Sequence, residues 1–245
     1  MKSKGVNDVI PDVTRIFVSV DEGGDIGSNT EGMWYILCGC SVHDRVRFAD
    51  ATKHFGFVKE MKFRKSAKRR TEVLTYADPA IRRIYYVATR KDQSTFTPME
   101  QKAIHDNALG MLSDLILSTE QSRFIDVEID HNDLIDDERA ESLFEKNRFS
   151  KGRAKARAIS SEESYEMQTH DFIVGAIGKL YNRCDERYAE LLTAPKFCIL
   201  TSSDMMKSVS PTGRSRQAVR NTAGGQNNNT RPKYKKTHKK SKRRC

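Results

Sequence analysis

Two apolar, β-branched blocks stand about twelve residues apart near the start of the chain: Arg15–Val20 (RIFVSV) and Met33–Val42 (MWYILCGCSV). Runs of this composition are strands, and the unbroken apolarity of the second buries it on both faces. Strand and helix signals alternate after them. Helical patterns cover Asp44–Phe55, capped by Asp44, and Ser66–Ala77, stopped before Pro79. The clearest is Pro98–Thr119, where Thr97 caps, Pro98 opens the first turn, and Ile104, Ala108, Leu109, Leu112, Leu115 and Ile116 recur at helical spacing. Asp136–Lys146 and Ser164–Arg183 are further helices. Strand patterns cover Ile81–Ala88, Phe124–Ile129, Lys155–Ser161 as an edge strand, and Pro195–Leu200. Strands first paired and then alternating with helices specify an α/β fold, with a mixed central sheet on which helices pack.

Charge divides the chain more sharply than hydropathy does. Lysine and arginine total 43 against 33 acidic residues, a formal net charge of +10. From Met206 to Cys245 there are seven Lys, six Arg and no acid, so the rest carries 30 basic and 33 acidic residues. A body near −3 is thus followed by a tail near +13. The tail is rich in Gly, Asn, Lys and Arg and buries too little apolar surface to offset its ordering entropy. The expected organisation is a polar leader over residues 1–13, one folded domain over 14–205, and a disordered basic tail over 206–245. Lys233, Lys235, Lys236, Lys239, Lys240, Lys242, Arg243 and Arg244 of the tail are candidate nucleic-acid contacts.

Several function classes drop out. No apolar run approaches the roughly 18 residues that span a bilayer, and no signal-peptide pattern precedes Arg15, so a cytoplasmic protein without a membrane partner is expected. The five cysteines include no C-x-x-C pair and read as buried free thiols, with Cys38 and Cys40 on one face of their strand. The six histidines have no metal-ligand spacing, and no G-x-S-x-G, Walker loop or dinucleotide fingerprint is present.

What remains is a set of separated carboxylates. Asp21-Glu22-Gly23-Gly24-Asp25 closes the first strand and opens a connection long for a hairpin. Asp130 closes the strand FIDVEID, where side chains project into the crevice beyond a sheet edge, and Asp126 and Glu128 share its face, which is therefore expected to be partly wet. In MQTHDFIVGAIGKLYNR, Gln168, Asp171 and Gly175 share one edge of the buried stripe, and Gly175 is expected to let that edge pack closely on the sheet. A half-buried Asp171 then needs a base or a metal as partner. Glu60 and Lys62 alternate onto one face in VKEMKFRKSAKRR, whose basic run suits phosphate contact.

Taken in order, the strand ending Asp21-Glu22-x-Gly, Glu60-x-Lys62, the strand ending at Asp130 and the helix Gln168-Thr169-His170-Asp171-Phe172-Ile173-Val174-Gly175-Ala176 resemble the prokaryotic domain-of-unknown-function family 3800, over about residues 14–185. Two departures stand out: Gly23 replaces the family's usual serine, and His170 stands where a small residue usually precedes the helix aspartate. The resemblance implies a ribonuclease-H-like fold. It implies catalytic roles for Asp21, Glu60, Lys62, Asp130 and Asp171, with the four acids holding Mg²⁺ or Mn²⁺, two ions by expectation, and Glu22, Asp25, Gln168 and His170 as accessory groups. Hard carboxylate oxygens suit such ions, and a pair of them promotes phosphodiester cleavage. The implied activity is that of a nuclease acting on DNA or RNA. Two alternatives stay open: a non-catalytic nucleic-acid-binding protein on the same fold, and an interaction module in phage defence or a mobile element.

Overall fold

The computed structural model describes residues 15–24, 26, 32–55, 62–92, 95–132 and 135–208. Its centre is a six-stranded mixed sheet, β1 (Arg15–Gly23), β2 (Trp34–Val42), β3 (Ile81–Arg90), β4 (Phe124–Asp130), β5 (Ala154–Ile159) and β6 (Lys196–Ser202), in the order β5-β4-β1-β2-β3-β6. β1, β2 and β3 form an antiparallel meander; β4 runs parallel to β1, β5 to β4 and β6 to β3. Six helices flank it: α1 (Arg45–Lys53), α2 (Arg70–Ala77), α3 (Pro98–Thr119), α4 (Asp137–Phe144), α5 (Tyr165–Arg183) and α6 (Ser203–Ser208). The expected mixed sheet flanked by helices is present.

Strand alternation makes two cores. Ile16, Val18, Val20, Ile125, Val127 and Ile129 face α3, α4 and α6, whereas Phe17, Cys38, Cys40 and Ile84 face α1, α2 and α5. Local capping sets the helix starts. Asp44, Asp136 and Ser164 accept from the third residue onward, and Thr97 with Glu100 forms a complete capping box. Cys38 and Cys40 are buried free thiols, as expected; Cys198 is free but half-buried, and Cys184 is exposed and disulfide-bonded, a correction to the expectation of buried free thiols throughout.

Three differences from expectation exceed two residues. β1 runs to Gly23, so Asp21 and Glu22 belong to the strand and not to the connection. α2 begins at Arg70, four residues late, because the Arg70 guanidinium donates to the Phe63 and Arg64 carbonyls and holds that segment in turns. α6 was not anticipated: Met206 is fully buried against the α3 core, which carries the folded body past residue 205. The rest of the basic tail, with its candidate nucleic-acid contacts from Lys233 to Arg244, lies outside the described residues, as does the polar leader. Among the described residues no helix is long and apolar enough to cross a membrane.

Candidate active site

Sheet register brings the first two acids together. β1 and β4 pair in parallel with Val20 level with Ile129, so the next step sets Asp21 beside Asp130. Val20 and Ile129 face α3, so Asp21 and Asp130 turn to the opposite face, beneath α5. Asp21 also pairs across β2 with Cys38, well inside the sheet, and is only 8% exposed. Its Oδ1 accepts the Glu22 N–H at 2.6 Å. Asp130 Oδ1 accepts the Ser161 N–H at 3.1 Å, and Gln168 Nε2 donates to the Ser161 carbonyl at 3.2 Å, tying the turn after β5 to α5.

The third acid comes from α5. Asp171 Oδ2 accepts the Phe63 N–H at 2.5 Å. The Phe63 ring is wedged edge-on between Phe172 and Tyr188. It fills the space left by Gly175, where a Cβ would lie 2.3 Å from the ring. Gly175 thus admits Phe63 and not the sheet, a correction to its expected role. Close approach of α5 to the sheet occurs instead at Gly23, where a Cβ would meet the Val174 side chain at 2.5 Å.

These elements enclose a cleft of about 180 Å³ lined by Asp21, Glu22, Lys62, Asp130, Ser161, Gln168 and Asp171. Burial, and then the neighbouring Asp130 and Asp171 carboxylates, push the Asp21 carboxyl well above the usual carboxylate range. Glu22 leans to the other face of β1, where the Tyr35 hydroxyl donates to its Oε2 at 2.6 Å. His105 Nε2 lies 3.6 Å from the same oxygen, but burial lowers His105 to about 4, so this is a contact of a neutral imidazole and not an ion pair.

Of the expected site residues, the cleft gathers Asp21, Glu22, Lys62, Asp130, Gln168 and Asp171. Glu60 and Asp25 lie outside the described residues. His170 is not part of the cleft: it is fully buried in α5, burial lowers it to about 3, and neither ring nitrogen has a partner among the described residues. Its expected accessory role, reaching metal or substrate, is therefore not met by this geometry. Sequence reading missed Phe63 and Ser161. Both act through backbone N–H groups, which leave no mark on residue type.

A larger groove, about 710 Å³, lies on the same sheet face over the starts of β1 and β5. Its acids Asp126 and Glu128 are matched by arginines. Arg15 pairs with Asp126 at 2.5 Å, and Arg45 and Arg157 both pair with Glu128. Glu128 is 2% exposed and Asp126 33%, so the expected partly wet face is wet at Asp126 and dry at Glu128. Chemistry therefore marks the smaller cleft as the candidate site. Among the described residues, no three His, Cys, Asp or Glu side chains are drawn together tightly enough to hold a metal ion. The donor set does suit a hard cation: three carboxylates share one cleft, and burial with the two neighbouring carboxylates holds the Asp21 carboxyl well above its usual range.

No family model matches the chain, and no curated protein matches it. Among solved structures, it is similar to a chain of the PCNA:RNase HII complex from Archaeoglobus fulgidus, with 15% identity and a TM-score of 0.45 over 71% of this chain and 77% of that one. It is also similar to Bst-RNase HIII in complex with Mn²⁺, with 15% identity and a TM-score of 0.38 over 74% of this chain and 57% of that one.

Proposed function

We propose that this protein is a divalent-metal-dependent nuclease that hydrolyses phosphodiester bonds of DNA or RNA at the cleft between β1, β4 and α5. The observation that carries this reading is the buried Asp21 carboxyl beside Asp130 and Asp171, with Lys62 on the same cleft. Like charges confined in a small, partly dry space are stable only with a proton or a cation among them. Asp21, Asp130 and Asp171 would hold Mg²⁺ or Mn²⁺, joined by Glu60 as the fourth acid that the family resemblance implies. Such ions, when bound, activate water and stabilise the departing oxygen.

The chain's own residues supply position and charge. Ser161 and Gln168 fix Asp130, and Phe63 fixes Asp171, so each acid is oriented before substrate arrives. Lys62, on the lining of the same cleft, would set a positive charge beside a phosphate bound there. Hydrolysis then forms one bond from water oxygen to phosphorus and breaks one from phosphorus to an ester oxygen, which takes up a proton.

The test is cleavage of a panel of single- and double-stranded DNA, RNA and hybrid substrates with Mg²⁺ or Mn²⁺. Activity abolished by EDTA and by Asp21→Asn or Asp171→Asn is expected, because Asn keeps the shape but removes the charge. Folded protein that binds the panel and cleaves none of it would assign the chain to the non-catalytic binders.

A further inference from the structure

The two edges of the sheet are treated oppositely. On β5, Ile125 N–H bonds to the Arg153 carbonyl across β4, which turns the N–H groups of residues 154, 156 and 158 outward. Each is capped by a side chain: Ala154 by Ser150 Oγ at 3.2 Å, Ala156 by Glu145 Oε1 at 2.9 Å, and Ala158 by Asp137 Oδ1 at 2.7 Å. This edge is closed to further strands.

β6 has no such protection. Ile84 N–H bonds to the Pro195 carbonyl, so residues 197, 199 and 201 bond toward β3, and the N–H and C=O groups of 196, 198, 200 and 202 point away from the sheet. Among the described residues no side chain or backbone group meets the outward groups of Cys198 and Leu200. Phe197, Cys198 and Ile199 are half-buried and Leu200 is 56% exposed, so both faces of the strand's outer margin are apolar. From Phe197 to Ser202 the strand carries no charge.

We propose that β6 pairs antiparallel with β6 of a second copy of this chain, making one twelve-stranded sheet about a twofold axis at Ile199. A strand that completes this edge must be apolar on both faces and uncharged along its middle, and β6 meets that description itself. With Ile199 opposite its own copy, Cys198 faces Leu200, Phe197 faces Thr201 and Lys196 faces Ser202. All seven residues pair, and the one charge on the strand meets a hydroxyl instead of its like. The pairing is isologous, and the capped β5 edge leaves no second site for strand addition, so assembly stops at two.

The test is the mass of the full-length protein by sedimentation equilibrium over about a hundredfold range of concentration, since a dimer dissociates by mass action. Twice the chain mass is expected at the upper end. Leu200→Lys sets a charge on the edge, and Leu200→Pro removes an outward N–H that β3 does not use, so each is expected to weaken dimerisation more than about tenfold. Both should keep a wild-type-like circular dichroism spectrum. Ile199→Pro removes an N–H bonded to β3 and should destabilise the fold, which checks the strand's orientation. A wild-type monomer at every concentration, a mass that grows beyond two copies, or a dimer that persists in both Leu200 variants overturns the proposal.

Discussion

The Phe63 backbone N–H donates to Asp171 Oδ2 at 2.5 Å, and the ring of the same residue occupies the notch at Gly175 one turn further along α5. One residue thus reads both the acid and the glycine of the helix. Gly175→Ala should expel the ring, because its Cβ would lie 2.3 to 2.7 Å from three Phe63 atoms. Overpacking of this kind costs about 1–3 kcal/mol. Urea denaturation should register that loss, and catalytic rate should fall further than stability explains because Asp171 loses the Phe63 N–H. Wild-type stability in Gly175→Ala would show that Phe63 is not anchored there.

Asp21 gives a signed pH dependence. Its folded-state pKa lies above the unfolded value, so the folded protein binds more protons, and stability falls as pH rises from the unfolded pKa through the folded one. Asp21→Asn removes this penalty while its side-chain oxygen still accepts the Glu22 N–H. In metal-free buffer near neutral pH the variant should melt several degrees higher than wild type, with the difference vanishing in acid. Adding Mn²⁺ should raise the wild-type Tm more than the variant's. A lower Tm for the variant at neutral pH would sink the electrostatic account of the cleft.

Local signals were legible in the sequence and long-range ones were not. The Thr97–Glu100 capping box and the caps at Asp44, Asp136 and Ser164 lie within one turn of the helices they start. The convergence of Asp21, Asp130 and Asp171 was legible only as an expectation from order and chemistry, because it depends on which strands become neighbours. The Ser161 and Phe63 donors to Asp130 and Asp171 were invisible, since both use their backbones. His170 could have been placed correctly. It falls in register with Met167, Val174 and Ile177, all of them buried, so helical periodicity already put it inside.

His170 and His105 should make the protein acid-labile. Burial lowers them to about 3 and about 4, below the usual histidine value near 6.5. The folded state then binds fewer protons, so stability is full above about pH 6.5 and declines as pH falls toward the folded values, by about 1.4 kcal/mol per unit per histidine. His170→Leu should flatten the Tm profile between about pH 6 and 4. An unchanged profile in that variant would show that His170 does not drive the loss.

The basic tail should carry the nonspecific affinity for polyanions. Met206 belongs to the core, so the informative cut follows Ser208 and removes residues 209–245, with 12 of the 13 basic residues counted from Met206 onward. That deletion should flatten the log–log salt dependence of duplex DNA binding by several units, at about −0.9 per phosphate neutralised. An unaltered slope would locate the phosphate contacts on the folded body.

The register between β1 and β4 has a consequence for how the site fails. Asp21 and Asp130 are spaced by a hydrogen-bonded ladder in the middle of the sheet, so their separation is a property of backbone geometry. Asp171 is docked onto that pair by a helix and accepts the Phe63 N–H from a turn. The cleft is therefore half rigid and half hinged. A disturbance of α5 or of the segment around Phe63 withdraws one acid and leaves the other two facing each other on an intact sheet.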